Sequence, residues 1–431
     1  PDYYEKIYNP MTLDELTSLS PTFPIAQLLH DCTERGVERF ILVAPDDLAN
    51  MNALYTQENL EAFKAFFLCR TLLACQRRLD QTCMDLADEA TGIIAGMAYH
   101  SVLTESAYSA CNTMLPMTVG RMYAENFVSE AVKQDVAALV DEVVAVFQKR
   151  LTNATWMSEE TRARALEKLG SLTVRVAYPD DWRAYDDSGI VFKSIEEGGS
   201  LLEDMAAITR YNYYKELDHV LEPIDHTLWK DAPQTTNAYY RANDNSINIV
   251  AGVLGGELYS LDASREQKMG TIGYIIGHEI THAFDTTGSQ FDKDGNLCNW
   301  WTDADHAAFT ALTDKVDAYF SAIEALPGKH VDGKLTIGET VADLGGLSCM
   351  LEIASADTSF DYEAFFTAFA RVWKAQMPEA VAELLLMQDP HAPHYLRTNV
   401  TVQQFQEFYD TFGVKEGDGM YLAPEERLSV W

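Results

Sequence analysis

Apolar residues in the first half of the chain recur at intervals of three and four, the spacing that gathers side chains on one side of an α-helix. From Glu58 to about residue 97 helix breakers are few, and Phe63, Phe66, Phe67, Leu72, Leu73 and Leu79 follow this spacing, which predicts one long helix or two. Ser129 is placed to cap a further helix whose apolar stripe runs Val132, Val136, Leu139, Val143, Phe147 and Leu151. Ser158 opens another and Gly170 closes it, a polar start and a glycine stop. These stripes read as core. Beyond Pro223 the pattern changes: Thr236 to Arg241 and Ser246 to Val250 read as short strands joined by the turn-forming residues 242–245. The expected fold is mainly α with a small β component, in two portions: residues 1–222, mostly helical, and residues 223–431.

Within the second portion, residues 269–277 form an apolar run that predicts a buried helix, and it leads directly into His278-Glu279-Ile280-Thr281-His282. Two histidines four apart on a helix point to the same side and can hold one metal ion. In such a site Zn²⁺ lowers the pKa of water toward neutrality, with Glu279 beside it as general base. A chance match on a surface helix is the plain alternative, and a second segment argues against it: Gly338-Glu339-Thr340-Val341-Ala342-Asp343-Leu344-Gly345-Gly346. Glu339 can supply a third ligand. Asp343, one turn later on the same face, can meet a ring nitrogen of a ligating histidine, most simply His278, and Asp285, three after His282, can do the same for the other imidazole. A solvated helix face is the bland reading of Glu339 and Asp343, disfavoured by their apolar, glycine-rich surroundings.

The sequences HEITHAFD and GETVADLGG resemble the neprilysin and endothelin-converting-enzyme family of zinc endopeptidases, in the style of its bacterial oligoendopeptidase members. Asn237-Ala238-Tyr239-Tyr240, Trp300-Trp301, Val119-Gly120-Arg121-Met122-Tyr123, Thr155-Trp156-Met157 and Val430-Trp431 extend the similarity over most of the chain. The resemblance implies two lobes, a thermolysin-like catalytic lobe and a helical one enclosing a central chamber, with one zinc ion per chain held by His278, His282 and Glu339. It implies that Asn237 and Ala238 hold a peptide substrate's backbone, that His391 donates to the developing oxyanion, and that Arg397 holds a substrate carbonyl. Asp343 is treated there also as a possible proton donor. His391 rather than His394 keeps the family's spacing to Arg397. The departures are Ser429 and Lys374, where extracellular animal members carry cysteine, and Gly255-Gly256-Glu257-Leu258 in place of a proline-containing segment. Members are usually longer at the amino end, so the expectation is a carboxy-terminal portion that associates with a preceding segment.

Composition adds exclusions. With 32 basic and 66 acidic residues, a net charge of −34 repels the phosphates of nucleic acid and anionic lipid alike. No apolar run reaches the roughly 18 residues needed to span a membrane. Seven cysteines, an odd number without any Cys-x-x-Cys pair, speak against a disulfide framework and for a reducing compartment, unless a signal or anchor precedes Pro1. Several lie in apolar helical runs and are expected to be buried. Asp292-Lys293-Asp294-Gly295-Asn296 superficially suggests a calcium loop, but its glycine falls at position four rather than six and position 12 is Asp303, so it reads as a tight turn. Two rivals to a zinc endopeptidase remain: a peptide-binding or adhesin-like protein that retains the fold with weak turnover, and an exopeptidase.

Overall fold

In the computed structural model, which describes residues 6–33, 36–96 and 98–431, the long apolar stretch near the amino end folds as two helices, Leu60–Cys75 and Gln81–Ala95. A 3₁₀ turn at Gln76–Arg78 separates them, and the Asp80 carboxylate caps the second by accepting from the Cys83 amide. Met97, near which the expected helical stretch closes, lies outside the described residues. The expected core stripe here is not buried. Phe66 is 57% and Phe67 60% exposed, and Leu72, Leu73 and Leu79 are exposed too. Helix Leu60–Cys75 is apolar on nearly every side, so no single packing partner can cover it.

These helices belong to the first of two units, formed by residues 1–115 and 187–225; the second comprises 116–186 and 226–431. The division expected near residue 222 therefore differs from the observed one, because residues 116–186 pack with the carboxy-terminal half. The reason lies in helix α1 (Glu130–Asn153). Ser129 caps it, and Val136, Val140, Val143, Phe147 and Leu151 are wholly or almost wholly buried among side chains from the later half, such as Phe284 and Trp431. Helix α2 (Glu159–Gly170), capped by Ser158, follows as its pattern predicts.

A three-stranded sheet completes this side of the second unit. β1 (Thr173–Ala177) runs parallel to β3 (Ser246–Val250), and β2 (Ala238–Arg241) pairs antiparallel with β3 on the other side. β2 and β3 were expected; β1 was not. All five residues of β3 are buried, as a central strand requires. β2 is an edge strand, hydrogen-bonded to β3 alone.

Residues 269–273 form a buried turn of π-helix that runs straight into α3 (Tyr274–His282). Helix α4 (Asp303–Ser321) and the long α5 (Gly333–Ala354) pack against each other, and α3 lies along α5. Helix α6 (Tyr362–Val372) covers the π-turn, and α7 (His394–Val402) packs on α5. After α3, Asp292 Oδ1 accepts from the amides of Asp294 and Asn296 at 2.9 Å each, and Gly295 takes φ +79°, so this segment is the tight turn expected rather than a cation loop. All seven cysteines are free thiols. Against expectation only Cys349 is buried, since the helices carrying Cys69 and Cys111 leave their own apolar residues exposed.

Candidate metal centre

Glycines set how closely α3 and α5 approach. A Cβ on Gly346 would lie 2.7 Å from the His278 amide nitrogen and 2.8 Å from the Tyr274 carbonyl oxygen, and one on Gly277 would lie 2.9 Å from Gly346 Cα. One turn along, Gly345 leaves room for the Thr281 side chain. This contact brings the side chains at His278 and His282 against those at Glu339 and Asp343.

The two imidazoles, one turn apart on α3, meet edge to face with Nε2 atoms 3.0 Å apart. Glu339 Oε2 lies 3.2 Å from His278 Nε2 and 3.4 Å from His282 Nε2. The other nitrogen of each ring faces a carboxylate: His278 Nδ1 is 2.9 Å from Asp343 Oδ1, and His282 Nδ1 is 2.7 Å from Asp285 Oδ2. The hydrogen bond to Asp285 holds the His282 proton on Nδ1 and frees Nε2 to ligate, whereas Asp343 lies beside His278 Nδ1 without an aligned hydrogen bond. Asp285 is itself held, its Oδ1 accepting from the amides of Thr287 at 2.7 Å and Gly288 at 2.6 Å.

Asp343 is the busiest group of the cluster. Besides lying beside His278 Nδ1, it accepts from Arg397 Nε at 2.8 Å and Nη2 at 2.6 Å and from the Tyr274 hydroxyl. Burial alone would raise its pKa; the guanidinium and the imidazole outweigh that and hold the carboxyl well below the usual carboxylate range. Arg397 is buried, stacked 3.7 Å over the Trp373 ring and paired with Asp343 through Nε and Nη2. The planar fork is used on a buried carboxylate within the protein.

His391 also reaches this point. Its Nε2 is 3.0 Å from Glu339 Oε2 and its Nδ1 2.7 Å from Asp389 Oδ1. Burial lowers the ring's pKa, but Glu339 and Asp389 more than offset this and raise it above the ordinary histidine value. His394 instead lies beside Trp373. Glu279 is buried on α3, close enough to Tyr239 of β2 to bear on that phenol. Ala238 is buried in β2, and Asn237, just before it, is exposed. Strand β2 packs against α3. Tyr274 and Asp389 were not anticipated, although Tyr274 stands one turn before His278 and Asp389 two residues before His391, spacings within reach of a helix-face or turn argument.

The donors fit a zinc ion. Three imidazole nitrogens crowd within 3.4 Å of Glu339 Oε2, yet this buried oxygen makes no well-aligned hydrogen bond with any of them. The ligating atoms of His278, His282 and Glu339 lie within 4.8 Å of one another. Lone pairs converging on one point, with two nitrogens and one carboxylate, form the three-donor set of a catalytic zinc that keeps one position open.

Two models of Peptidase family M13 match the chain, over residues 2–179 and 237–428. The chain belongs to peptidase family M13. This is the neprilysin-like family read from the motifs; its members are zinc metallopeptidases, and the chain is accordingly a metalloendopeptidase. It is 31% identical to the neutral endopeptidase of Lactococcus lactis subsp. lactis over 428 residues, 99% of this chain and 67% of that protein. It superposes on the crystal structure of PEPO from Lactobacillus rhamnosis with a TM-score of 0.90 at 31% identity, covering 99% of this chain and 67% of that one. The zinc metalloprotease ZMP1 of Mycobacterium tuberculosis, solved with an inhibitor, gives the same TM-score at 28% identity, with 99% and 66% covered. The chain thus spans about two thirds of the length of these relatives. No described helix is long and apolar enough to cross a membrane.

Proposed function

We propose that this chain carries the catalytic site of a zinc endopeptidase that hydrolyses internal bonds of short peptides. The observation that carries the reading is the convergence of His278 Nε2, His282 Nε2 and Glu339 Oε2 on one point, with both Nδ1 atoms facing carboxylates. Zinc bound there supplies a Lewis acid that polarises the scissile carbonyl and acidifies water. Glu279 takes a proton from the attacking water and passes it to the leaving nitrogen. His391, through Nε2–H, donates to the carbonyl oxygen as charge develops on it; one such donor is worth roughly 3 kcal/mol in hydrolytic sites. Asp389 fixes that imidazole, Asp343 and Asp285 fix the two ligating rings, and Arg397 with Tyr274 fixes Asp343. The open edge of β2 receives an extended peptide through main-chain hydrogen bonds, which are indifferent to side chains, with Ala238 pairing and the Asn237 amide adding a further contact.

The test uses the full chain and a short peptide blocked at both ends. Glu279→Gln is expected to retain one zinc per chain and lose on the order of 10²-fold or more in turnover, as for a missing general base. Near-normal turnover removes Glu279 from the mechanism. A native chain that binds the blocked peptide without cutting it supports the peptide-binding reading instead, and one that cuts only unblocked ends supports an exopeptidase.

A further inference from the structure

A buried ammonium stands behind the zinc site with no place in the chemistry above. Lys168 of α2 is 1% exposed, and its Nζ donates to the Gly288 carbonyl at 2.6 Å and the Phe291 carbonyl at 2.7 Å. The rings of Tyr240, Phe284 and Trp300 surround it at 5.7–5.8 Å. Burial pulls the ammonium down to about 7, against the opposing pull of Asp285 and Asp292. An apolar side chain of the same length would avoid that penalty but take the Nζ donor from both carbonyls. What the lysine supplies is therefore sought in what it holds.

It holds the turn that follows the zinc helix. Gly288 is packed so tightly that a Cβ there would lie 1.8 Å from the His282 carbonyl oxygen. In this conformation the Thr287 and Gly288 amides point at Asp285 Oδ1, while Asp285 Oδ2 faces His282 Nδ1. Lys168 is thus linked, through the backbone of the turn it holds, to the two amides that bind Asp285 and so to the His282 imidazole. His278 is oriented by other groups, Asp343 with Tyr274 and Arg397, none of them in this turn.

We propose that Lys168 is a positioning residue for His282: it fixes the turn so that two amides hold Asp285, and Asp285 keeps the His282 proton on Nδ1 with Nε2 turned to the metal. The inference rests on the zinc reading above, and the experiment separates the two. Zinc affinity is measured by chelator competition for the native full chain, Lys168→Met and Lys168→Gln. The downfield Nδ1–H resonances of His278 and His282 are recorded on the zinc-loaded, histidine-labelled proteins. Lys168→Met is expected to weaken zinc about tenfold, the lower end for groups that support ligands, and to shift or broaden the His282 signal while leaving that of His278 in place. Lys168→Gln keeps an N–H for one carbonyl and is expected to fall between. A folded Lys168→Met with native affinity and an unmoved His282 signal overturns the proposal, as does movement of both signals together, the mark of general loosening. If Lys168→Met does not fold, native values in Lys168→Gln overturn it equally. A native chain that takes up no zinc overturns the zinc reading and this one with it.

Discussion

Replacing Gly346 by alanine tests whether the helix contact sets the metal geometry. Two effects oppose each other. Alanine is favoured over glycine in a helix interior by about 1 kcal/mol, and α5 would gain that. The new methyl, however, meets the His278 amide nitrogen at 2.7 Å and the Tyr274 carbonyl oxygen at 2.8 Å. Both are main-chain atoms of α3, so no side chain can rotate away. Relief to ordinary contact, about 3.5 Å or more, requires the two helices to part by roughly 0.7 Å. Overpacking of this kind costs about 1–3 kcal/mol, more where nothing yields, so a net loss of up to about 2 kcal/mol is expected in the metal-free protein. Zinc responds more sharply. Glu339 rides on α5 and both histidines on α3, and metal–ligand distances tolerate only about 0.2 Å. A fall of 10- to 100-fold in affinity follows, comparable to losing a group that supports a ligand. Denaturant melts with and without zinc, alongside chelator competition, measure both quantities. A Gly346→Ala protein with native zinc affinity and undiminished stability would show that the close approach of α3 and α5 does not govern the site.

Removing a donor is the harsher perturbation: Glu339→Gln and His282→Ala should each lose zinc, and a full equivalent of metal in both purified variants would sink the ligand assignment. Lys168 gives a pH signature of its own. It titrates near 7 when folded against 10.5 as its unperturbed value, so between these limits the unfolded chain binds the extra proton and stability rises with pH. The gain, on the order of a few kcal/mol, should appear as a stability difference between the native chain and Lys168→Met that grows from pH 7 toward 10; a flat difference contradicts it.

The clustering of His278, His282 and Glu339 was legible because its geometry is local. His278 and His282, or Glu339 and Asp343, share a helix face by periodicity alone, and the burial of residues 269–277 announced that the face was internal. Arg397 shows the limit of this. Its position could be matched by spacing, but its ion pair with Asp343, 54 residues earlier, joins two helices that no local pattern relates. Strand β1 escaped for a related reason, since its pairing with β3 spans a segment that folds in the other unit. The stripe on α1 revealed that a face is buried, not which half of the chain buries it, and so the unit boundary was misjudged. At Leu60–Cys75 apolar spacing found the helix but not its exposure, because hydrophobicity there is not confined to one face.

The interleaving of the two units bears on how the chain reaches its native state. Residues 187–225 leave the second unit and return to it, so the parallel pairing of β1 with β3 closes a loop that contains part of the first unit. During synthesis α1, α2 and β1 emerge together and can meet one another, but the face that α1 buries against α3 and α5 waits for those helices. A single proteolytic nick near residue 116, 187 or 226 cannot release either unit, because each is built from two stretches of chain. Separating them takes cuts at every crossing, and a protein made of the second unit alone would have to be engineered by removing residues 1–115 and also bridging 186 to 226.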